Sequence, residues 1–415
     1  MSQFGETAIS TKETTDPGKS FTATILAVSF DKSYKACREG ATIAAPHWPA
    51  KADGYRQSKK AAVLQLGNKN AYAATVKVKV ESEGLSGKGT LIGRLENLHF
   101  TGEVTLTSGT YDVEVTLKQA PSALSWIRGR IFWQINAERN VRAGATFVEL
   151  FFIFGNPASI ECFRKDGVWI KALRFIFEEG GLDGIEKADD SVRKVTQCCF
   201  KLPNHRYNIV DDEASEFIDH PGNFKLKKYM EPADFEVNSL DQSCAVITFA
   251  AALGLKVNGL HLSPFGYLQH TRLVGRGWCN NPFPYSKQQS ALAISLRQGK
   301  TQSPEESKEE AFLVVAPRDP CRRPFVDHTF CEFNNKIFDA AIGPALGQHN
   351  RLDYMKENIA IGDDIPEKIV TCYDIEEAPI ETAIKDTGIP KQASELSDNL
   401  IRTFAAKDLA IETVS

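Results

Sequence analysis

The chain has 415 residues, of which 42% are hydrophobic and 25% are charged, and its formal net charge is -4 at pH 7. This composition is typical of soluble globular proteins, and the length suits two or three domains that each bury a core. No segment has the roughly 18 consecutive apolar residues of a membrane span, no basic and apolar leader opens the chain, and basic charge is not concentrated. We therefore expect a cytoplasmic protein that binds neither membrane nor nucleic acid.

Residues 20–155 contain seven strand-like segments, rich in β-branched and aromatic side chains and separated by Gly, Asn and Ser turn signals. The segments are FTATILAVSF, AAVLQLG, AYAATVKVKVESE, TLIGRLENLHFTGEV, TYDVEVTLKQ, WIRGRIFWQI and ATFVELFFIF. No convincing helix interrupts them. The pattern predicts an all-β, sandwich-like or barrel domain that follows a polar tail at residues 1–19.

After GNPAS, helix-like and strand-like segments are mixed, and we place a domain boundary near residue 156. The segment GLDGIEKADDSVRKVTQCCF is predicted to be helical, and the polar stretch at 301–310 is expected to be a surface loop. Residues 351–415 carry 14 acidic against 7 basic side chains. This acidic extension is expected to be a docked helix or partly disordered.

Nine cysteines are scattered along the chain, without the density of a disulfide framework. Cys198 and Cys199 are adjacent and no C-x-x-C pair occurs, so reduced thiols without a structural zinc are expected. The sequence predicts no metal and no cofactor. Any cysteine near a histidine and a carboxylate is then a candidate nucleophile.

The segment VNSLDQSCAVITFAAALGLKV is predicted to be a buried helix. Polar start signals at Ser239 and Asp241 precede an apolar, small-residue run that ends at Gly254. Cys244 falls in the predicted first turn, where the backbone N–H groups and the helix dipole would lower the thiol pKa and hold an oxyanion. The ordinary role of a free cysteine as a small buried hydrophobe is the alternative.

The segment PFVDHTFCEFNNKIFDAAIGP is predicted to be a hairpin, since Asn334 and Asn335 tolerate the positive φ angles of a two-residue type I′ turn. Residues whose numbers sum to 669 then pair, so Phe330 lies opposite Asp339. His328 falls on the same face, diagonal to Asp339 and within side-chain reach. A three-residue loop would place the two on opposite faces. The hairpin thus predicts a carboxylate that orients an imidazole, against the alternative of a surface His beside a solvated Asp.

These segments resemble the transglutaminase-like superfamily of papain-fold cysteine enzymes over about residues 185–345. The resemblance is carried by DQSCAVITFAAALGLKV, VDHTFCEF and NKIFDAAIGP. It implies an α+β catalytic domain at 156–350 with a central buried helix on an antiparallel sheet. It also implies that Cys244 is the nucleophile, His328 the general base and acid, and Asp339 the carboxylate that orients His328.

Three features bear on this resemblance. The aromatic residue that commonly follows the histidine by two is present as Phe330, but the interval of 84 residues from Cys244 to His328 is long. We expect residues 280–320 to form an insertion. No calcium loop of clustered Asp and Asn is visible, so a metal-activated enzyme is not expected.

The expected reaction is covalent catalysis at an amide carbonyl of a peptide or protein, through a thioester. Resolution by water would make the protein a peptidase or deamidase, which we favour, because only Trp278 and its neighbours suggest the apolar channel that excludes water. Resolution by an amine would make it a cross-linking transferase. A non-catalytic binding or scaffold protein is the other alternative, expected if Cys244 is buried without contact to His328. The oligomeric state is not predicted.

Weaker candidates accompany this set. His270, Trp278 and Cys279 lie in an aromatic loop that would wall a cleft or simply pack as a turn. Asn238 and Gln242 are candidate second oxyanion donors, although polar residues before a helix are also ordinary caps. His261 carries no specific signal.

Overall fold

The computed structural model describes residues 20–38, 41–49, 60–67, 72–209, 215–219, 223–262, 267–280, 328–360, 401–404 and 410–411. It is a mixed α and β structure with mostly strands and few helices. The loop expected at 301–310 and the insertion expected at 280–320 lie outside the described residues, except for Asn280. None of the helices in the described ranges is long and apolar enough to cross a membrane.

All seven strand-like segments of the first 155 residues form strands, and TLIGRLENLHFTGEV divides into two at a tight turn. Three short strands between residues 36 and 49 were not predicted. The strands are β1 (Ser20–Ser29), β2 (Ala36–Arg38), β3 (Ala41–Ile43), β4 (His47–Pro49), β5 (Ala62–Gln65), β6 (Ala73–Glu83), β7 (Lys88–Leu95), β8 (Leu98–Thr105), β9 (Gly109–Leu117), β10 (Ser125–Asn136) and β11 (Asn140–Ile153).

Nine of these strands form one sheet in the order β4-β1-β6-β9-β8-β7-β10-β11-β5. Neighbours are antiparallel except β11 and β5, which are parallel. The sheet curls, so that β1 packs near β11 although five strands separate the two in the order of the sheet. Alternating apolar and polar residues in β1 and β6 bury one face of the sheet and expose the other.

β11 serves two hydrophobic cores. Leu150 and Phe152 pack in the core of the curled sheet, whereas Phe151 and Ile153 point into the core of the following helices and strands. The alternation of side chains along a strand makes this division possible. Buried Glu149 adds a polar link, because its carboxylate binds the guanidinium of Arg174 in the first helix of the second part.

The elements after residue 155 include the helix predicted from GLDGIEKADDSVRKVTQCCF, which is confirmed as α2. The helices are α1 (Ile170–Glu178), α2 (Ala188–Lys201), α3 (Leu226–Tyr229), α4 (Ser239–Ala252) and α5 (Arg351–Asn358), with 3-10 turns at Pro157–Ser159 and Glu161–Phe163. The strands are β12 (Val168–Trp169), β13 (His205–Tyr207), β14 (Ile218–Asp219), β15 (Asn223–Phe224), β16 (Phe235–Val237), β17 (Asn258–Leu262), β18 (Tyr267–Leu268), β19 (Thr271–Leu273), β20 (Gly277–Cys279), β21 (His328–Phe333), β22 (Lys336–Asp339), β23 (Ala345–Leu346), β24 (Ile359–Ala360), β25 (Ile401–Phe404) and β26 (Ala410–Ile411).

The predicted central helix is present as α4, and nearly all of its side chains are buried. A capping box opens it, in which the Asn238 side chain accepts from the Asp241 N–H and the Asp241 carboxylate accepts from the Asn238 N–H. Gly254 follows its end with a φ of +77°. A Cβ at Gly254 would stand 2.3 Å from the backbone of Gly155, so glycine is required where the helix meets the end of β11.

α4 packs on an antiparallel sheet in the order β23-β22-β21-β17-β25. The helix runs along β21, with Ser239 beside Thr329 and Ser243 beside Cys331. The acidic extension, where a docked helix or disorder was expected, begins with the helix α5, whose Tyr354 and Met355 are buried, and also supplies the edge strand β25, which was not expected. Most of the remaining extension lies outside the described residues.

Candidate functional site

The hairpin of β21 and β22 has the predicted register. Asn334 and Asn335 have φ angles of 51° and 59°, as a type I′ turn requires, and Cys331 pairs with Phe338. The predicted register, in which the numbers of paired residues sum to 669, is therefore confirmed. His328 and Asp339 lie on one face, with Nε2 of the imidazole 2.7 Å from Oδ2 of the carboxylate.

Hydrogen bonds fix both oxygens of the Asp339 carboxylate. Oδ1 accepts the backbone N–H groups of Ala341 and Ile342 at 2.7 and 3.0 Å, and Oδ2 contacts the imidazole. The side chains of His328 and Asp339 are 0% and 1% exposed. The alternative of a surface His beside a solvated Asp is therefore wrong.

Tyr354 completes this polar cluster from α5, which Asn350 caps by accepting from the Asp353 N–H. Its hydroxyl donates to Oδ2 of Asp339 at 2.5 Å and lies 3.2 Å from Nε2 of His328. Burial, together with the neighbouring Asp339 charge, raises the pKa of Tyr354 well above its ordinary value. The phenol therefore remains a proton donor over the physiological pH range.

This geometry assigns roles to the two imidazole nitrogens. The carboxylate accepts a hydrogen bond from Nε2–H, which places the basic lone pair of the neutral ring on Nδ1. Nδ1 is also the ring nitrogen nearer to the main chain of His328. The pair can thus take a proton at Nδ1 while Asp339 stabilises the resulting imidazolium.

Cys244 does not occupy the position that was predicted for it. α4 begins at Ser239, so Cys244 is its sixth residue and lies in the second turn, not the first. Burial raises the pKa of the thiol well above its ordinary value, and Asp241, Cys331 and Cys162 raise it further. The expectation of a pKa lowered by the helix dipole is therefore wrong, because loss of hydration outweighs a dipole effect that fades beyond the first turn.

The sheet also separates Cys244 from the imidazole. Sγ of Cys331 lies 3.5 Å from the carbonyl oxygen of Ser243, so α4 covers the face of β21 that carries Cys331. His328 is three residues away on a strand whose side chains alternate, and it points to the other face. Cys244 makes no contact with His328 among the described interactions.

Ser239 is the residue at this site that the sequence reasoning missed as a chemical group. Its Oγ accepts the backbone N–H of Thr329 at 3.1 Å, one peptide bond from His328. The side chain is 3% exposed. The sequence signalled Ser239 only as a polar residue that starts a helix, and the pairing with Thr329 requires the tertiary fold.

The candidate oxyanion donors have structural partners. Gln242 accepts from the Tyr229 hydroxyl at 2.5 Å and donates to the Cys199 carbonyl at 3.4 Å. The side chain of Asn238 caps α4. The described contacts of Gln242 thus place it in the packing between α4, α2 and α3.

The weaker candidates lie apart from the cluster or support its strand. His261 lies on β17, the strand next to β21, and its Nδ1 is 3.2 Å from the Thr329 hydroxyl. Trp278 is 49% exposed, with the His270 ring 5.2 Å away, and Cys279 is buried. Within the described residues, no group of His, Cys, Asp and Glu is arranged to hold a metal ion. Cys198 and Cys199 are free thiols.

Comparison with known proteins gives little likeness. No protein-family model matches the chain, and no curated protein matches it. Among solved structures, the transglutaminase of red sea bream matches with 10% sequence identity and a TM-score of 0.28. The match covers 68% of this chain and 49% of that one, so the chain spans about half the length of that enzyme. A likeness this low does not identify a function, so we infer the function from the geometry of the site.

Proposed function

We propose that the protein catalyses hydrolysis or acyl transfer at a carbonyl group of a peptide or protein, with His328 as general base and acid. Asp339 orients the imidazole and stabilises its protonated form. The observation that carries this proposal is the buried hydrogen bond of 2.7 Å between the two side chains. Two backbone N–H groups fix the carboxylate, so the pair is preorganised.

The reaction needs a nucleophile that His328 can deprotonate. The nucleophile attacks the carbonyl carbon, its proton passes to the imidazole, and the same proton then leaves with the departing amine. Water resolves the acyl-enzyme in a peptidase or deamidase, and an amine resolves it in a cross-linking or ligating transferase. We favour hydrolysis, because the half-exposed Trp278 does not supply the closed apolar channel that would exclude water.

If Cys244 were this nucleophile, its thiol would have to reach the imidazole from the opposite side of β21. Its burial and raised pKa disfavour the thiolate on which cysteine catalysis depends. A cysteine-dependent reaction is therefore a proposal that a Cys244→Ser variant tests directly.

A non-catalytic scaffold is the second candidate function, and one observation favours it. His328, Asp339, Tyr354 and Cys244 are all buried. Cys244 makes no described contact with His328. A buried hydrogen-bonded network of this kind also serves to specify a unique core. On this account the cluster stabilises the fold and carries no chemistry.

Product analysis separates the two functions. The protein is incubated with glutamine-containing peptides, with and without a primary amine, and the products are weighed. Cleavage of the peptide indicates a peptidase. A gain of about one dalton, which accompanies conversion of an amide to an acid, indicates a deamidase, and incorporation of the amine indicates a transferase. The His328→Gln variant keeps an amide N–H for Asp339 but cannot titrate, so it should abolish any such turnover.

A matched control is available in His205, a second buried histidine outside the cluster. It packs edge-on against Tyr229, and burial lowers the pKa of its imidazole to about 4, so it is neutral at physiological pH. His205→Gln should retain turnover. Equal loss in both variants, or no turnover in the wild type on any of these substrates, would contradict the catalytic proposal and favour the scaffold.

A further inference from the structure

The oxygen of Ser239 sits at the junction between α4 and the strand that carries the imidazole. Main-chain N–H groups of a strand lie in the plane of its sheet, so an atom that accepts from the Thr329 N–H is level with the sheet. It is not confined to the face that α4 covers. Oγ of Ser239 therefore lies beside β21, one peptide unit from the main chain of His328.

Cys244 has no comparable position. It is five residues further along α4, which corresponds to about 7.5 Å along the helix axis and roughly 140° around it. Its described electrostatic neighbours are Asp241, Cys331 and Cys162, and His328 is not among them.

The surroundings of Ser239 favour negative charge on its oxygen. It is the first residue of α4, where backbone N–H groups without helical partners create a positive potential. The Thr329 N–H already donates to Oγ and would donate more strongly to a developing alkoxide. These are the conditions under which a hydroxyl becomes a useful nucleophile once a base is within reach.

From this arrangement we infer that Ser239 is the nucleophile of the reaction, with His328 as its base; the inference rests on the proposed function. Oγ of Ser239 bonds to the carbonyl carbon while its proton passes to Nδ1 of His328. The bond from carbon to the leaving nitrogen then breaks, and the amine takes that proton. Water attacks the resulting ester, gives its own proton to His328, and frees the acid and the Ser239 hydroxyl.

An exchange of the two atoms tests this inference. In Ser239→Cys we expect His328 to activate the new thiol, which should react with iodoacetamide at least tenfold faster than Cys244 does in the wild type. Adding His328→Gln should slow this alkylation. The matched variant Cys244→Ser keeps the size of its side chain and should leave peptide turnover within about twofold of wild type.

A fluorophosphonate gives a direct readout without a known substrate. Oγ of Ser239 attacks phosphorus, the phosphorus–fluorine bond breaks, fluoride leaves, and His328 takes the hydroxyl proton. Tandem mass spectrometry should locate the adduct on Ser239, and the adduct should be absent in Ser239→Ala and in His328→Gln. It should persist in Cys244→Ser.

The outcomes distinguish the inference from the function on which it rests. Turnover that depends on His328 but survives Ser239→Ala, or is lost in Cys244→Ser, would overturn the inference and leave the function standing. Absence of both turnover and labelling in the wild type would overturn both. Labelling of Ser239 that does not depend on His328 would also overturn the proposed pairing.

Discussion

Asp241 offers the sharpest test of the energetics at the start of α4. Its buried carboxylate accepts from the Asn238 N–H at 3.1 Å and from the Ser215 hydroxyl. Burial raises the pKa of this group from 3.8 to about 7, although these hydrogen bonds oppose the shift. Replacing Asp241 by Asn removes the titration and retains one acceptor oxygen.

The magnitude follows from the shift. The difference between 3.8 and about 7 is roughly 3 pKa units, which corresponds to about 4 kcal/mol. The native state holds this proton more tightly than the unfolded chain, so unfolding releases a proton between these pH values. The free energy of unfolding therefore falls as the pH rises from about 4 to about 7, and this contribution is constant outside that window.

Urea denaturation of wild type and Asp241→Asn from pH 4 to pH 8 measures this effect. The free energy of unfolding of the variant, relative to wild type, should rise by about 4 kcal/mol across the range. Asp189→Asn is a control without a slope in this range, because a hydrogen bond from Lys336 lowers the pKa of Asp189 below its ordinary value of 3.8 and its titration therefore lies below pH 4. Parallel pH profiles for wild type and Asp241→Asn would refute the reasoning.

Three further substitutions test the site and the packing around it. Tyr354→Phe removes the hydroxyl that donates to Asp339, so it should lower the free energy of unfolding by about 1 kcal/mol and alter the pH profile of turnover; an unchanged profile would argue that the phenol does not tune the pair. Asn335→Val places a β-branched side chain at a φ of 59° and should cost about 1–2 kcal/mol in urea denaturation, whereas Asn335→Gly should be nearly neutral; equal effects would contradict the type I′ turn. Arg174→Met leaves the buried Glu149 carboxylate without its cationic partner. In thermal unfolding this should lower the free energy of unfolding by about 3 kcal/mol, and a neutral result would show that the ion pair does not stabilise the contact between the two cores.

The sequence was most informative where a local rule fixes long-range geometry. The Asn334–Asn335 turn determines the pairing of every residue in its hairpin, and so placed His328 and Asp339 on one face. α4 was equally legible, because a cap, an apolar run and Gly254 bound it.

Quantities that depend on tertiary contacts were not predictable. Start signals at Ser239 and Asp241 were read from the sequence with Cys244 in the first turn, but the capping box has Asn238 as its N-cap, so Cys244 lies in the second turn. The direction of the thiol pKa shift depends first on burial by the surrounding elements and then on the neighbouring charges of Asp241, Cys331 and Cys162. The pairing of Ser239 with Thr329 joins residues 90 positions apart, and no local pattern encodes it.

The chemical nature of the acyl-enzyme tests the central claim most directly. Wild-type protein is reacted with an activated ester, quenched in acid, and the covalent adduct is then treated with neutral hydroxylamine, which cleaves thioesters readily but leaves ordinary oxygen esters intact. We predict an adduct that resists hydroxylamine, maps to Ser239 and forms more slowly when Asp339 is replaced by Asn. An adduct that hydroxylamine removes, located on Cys244, would contradict the account.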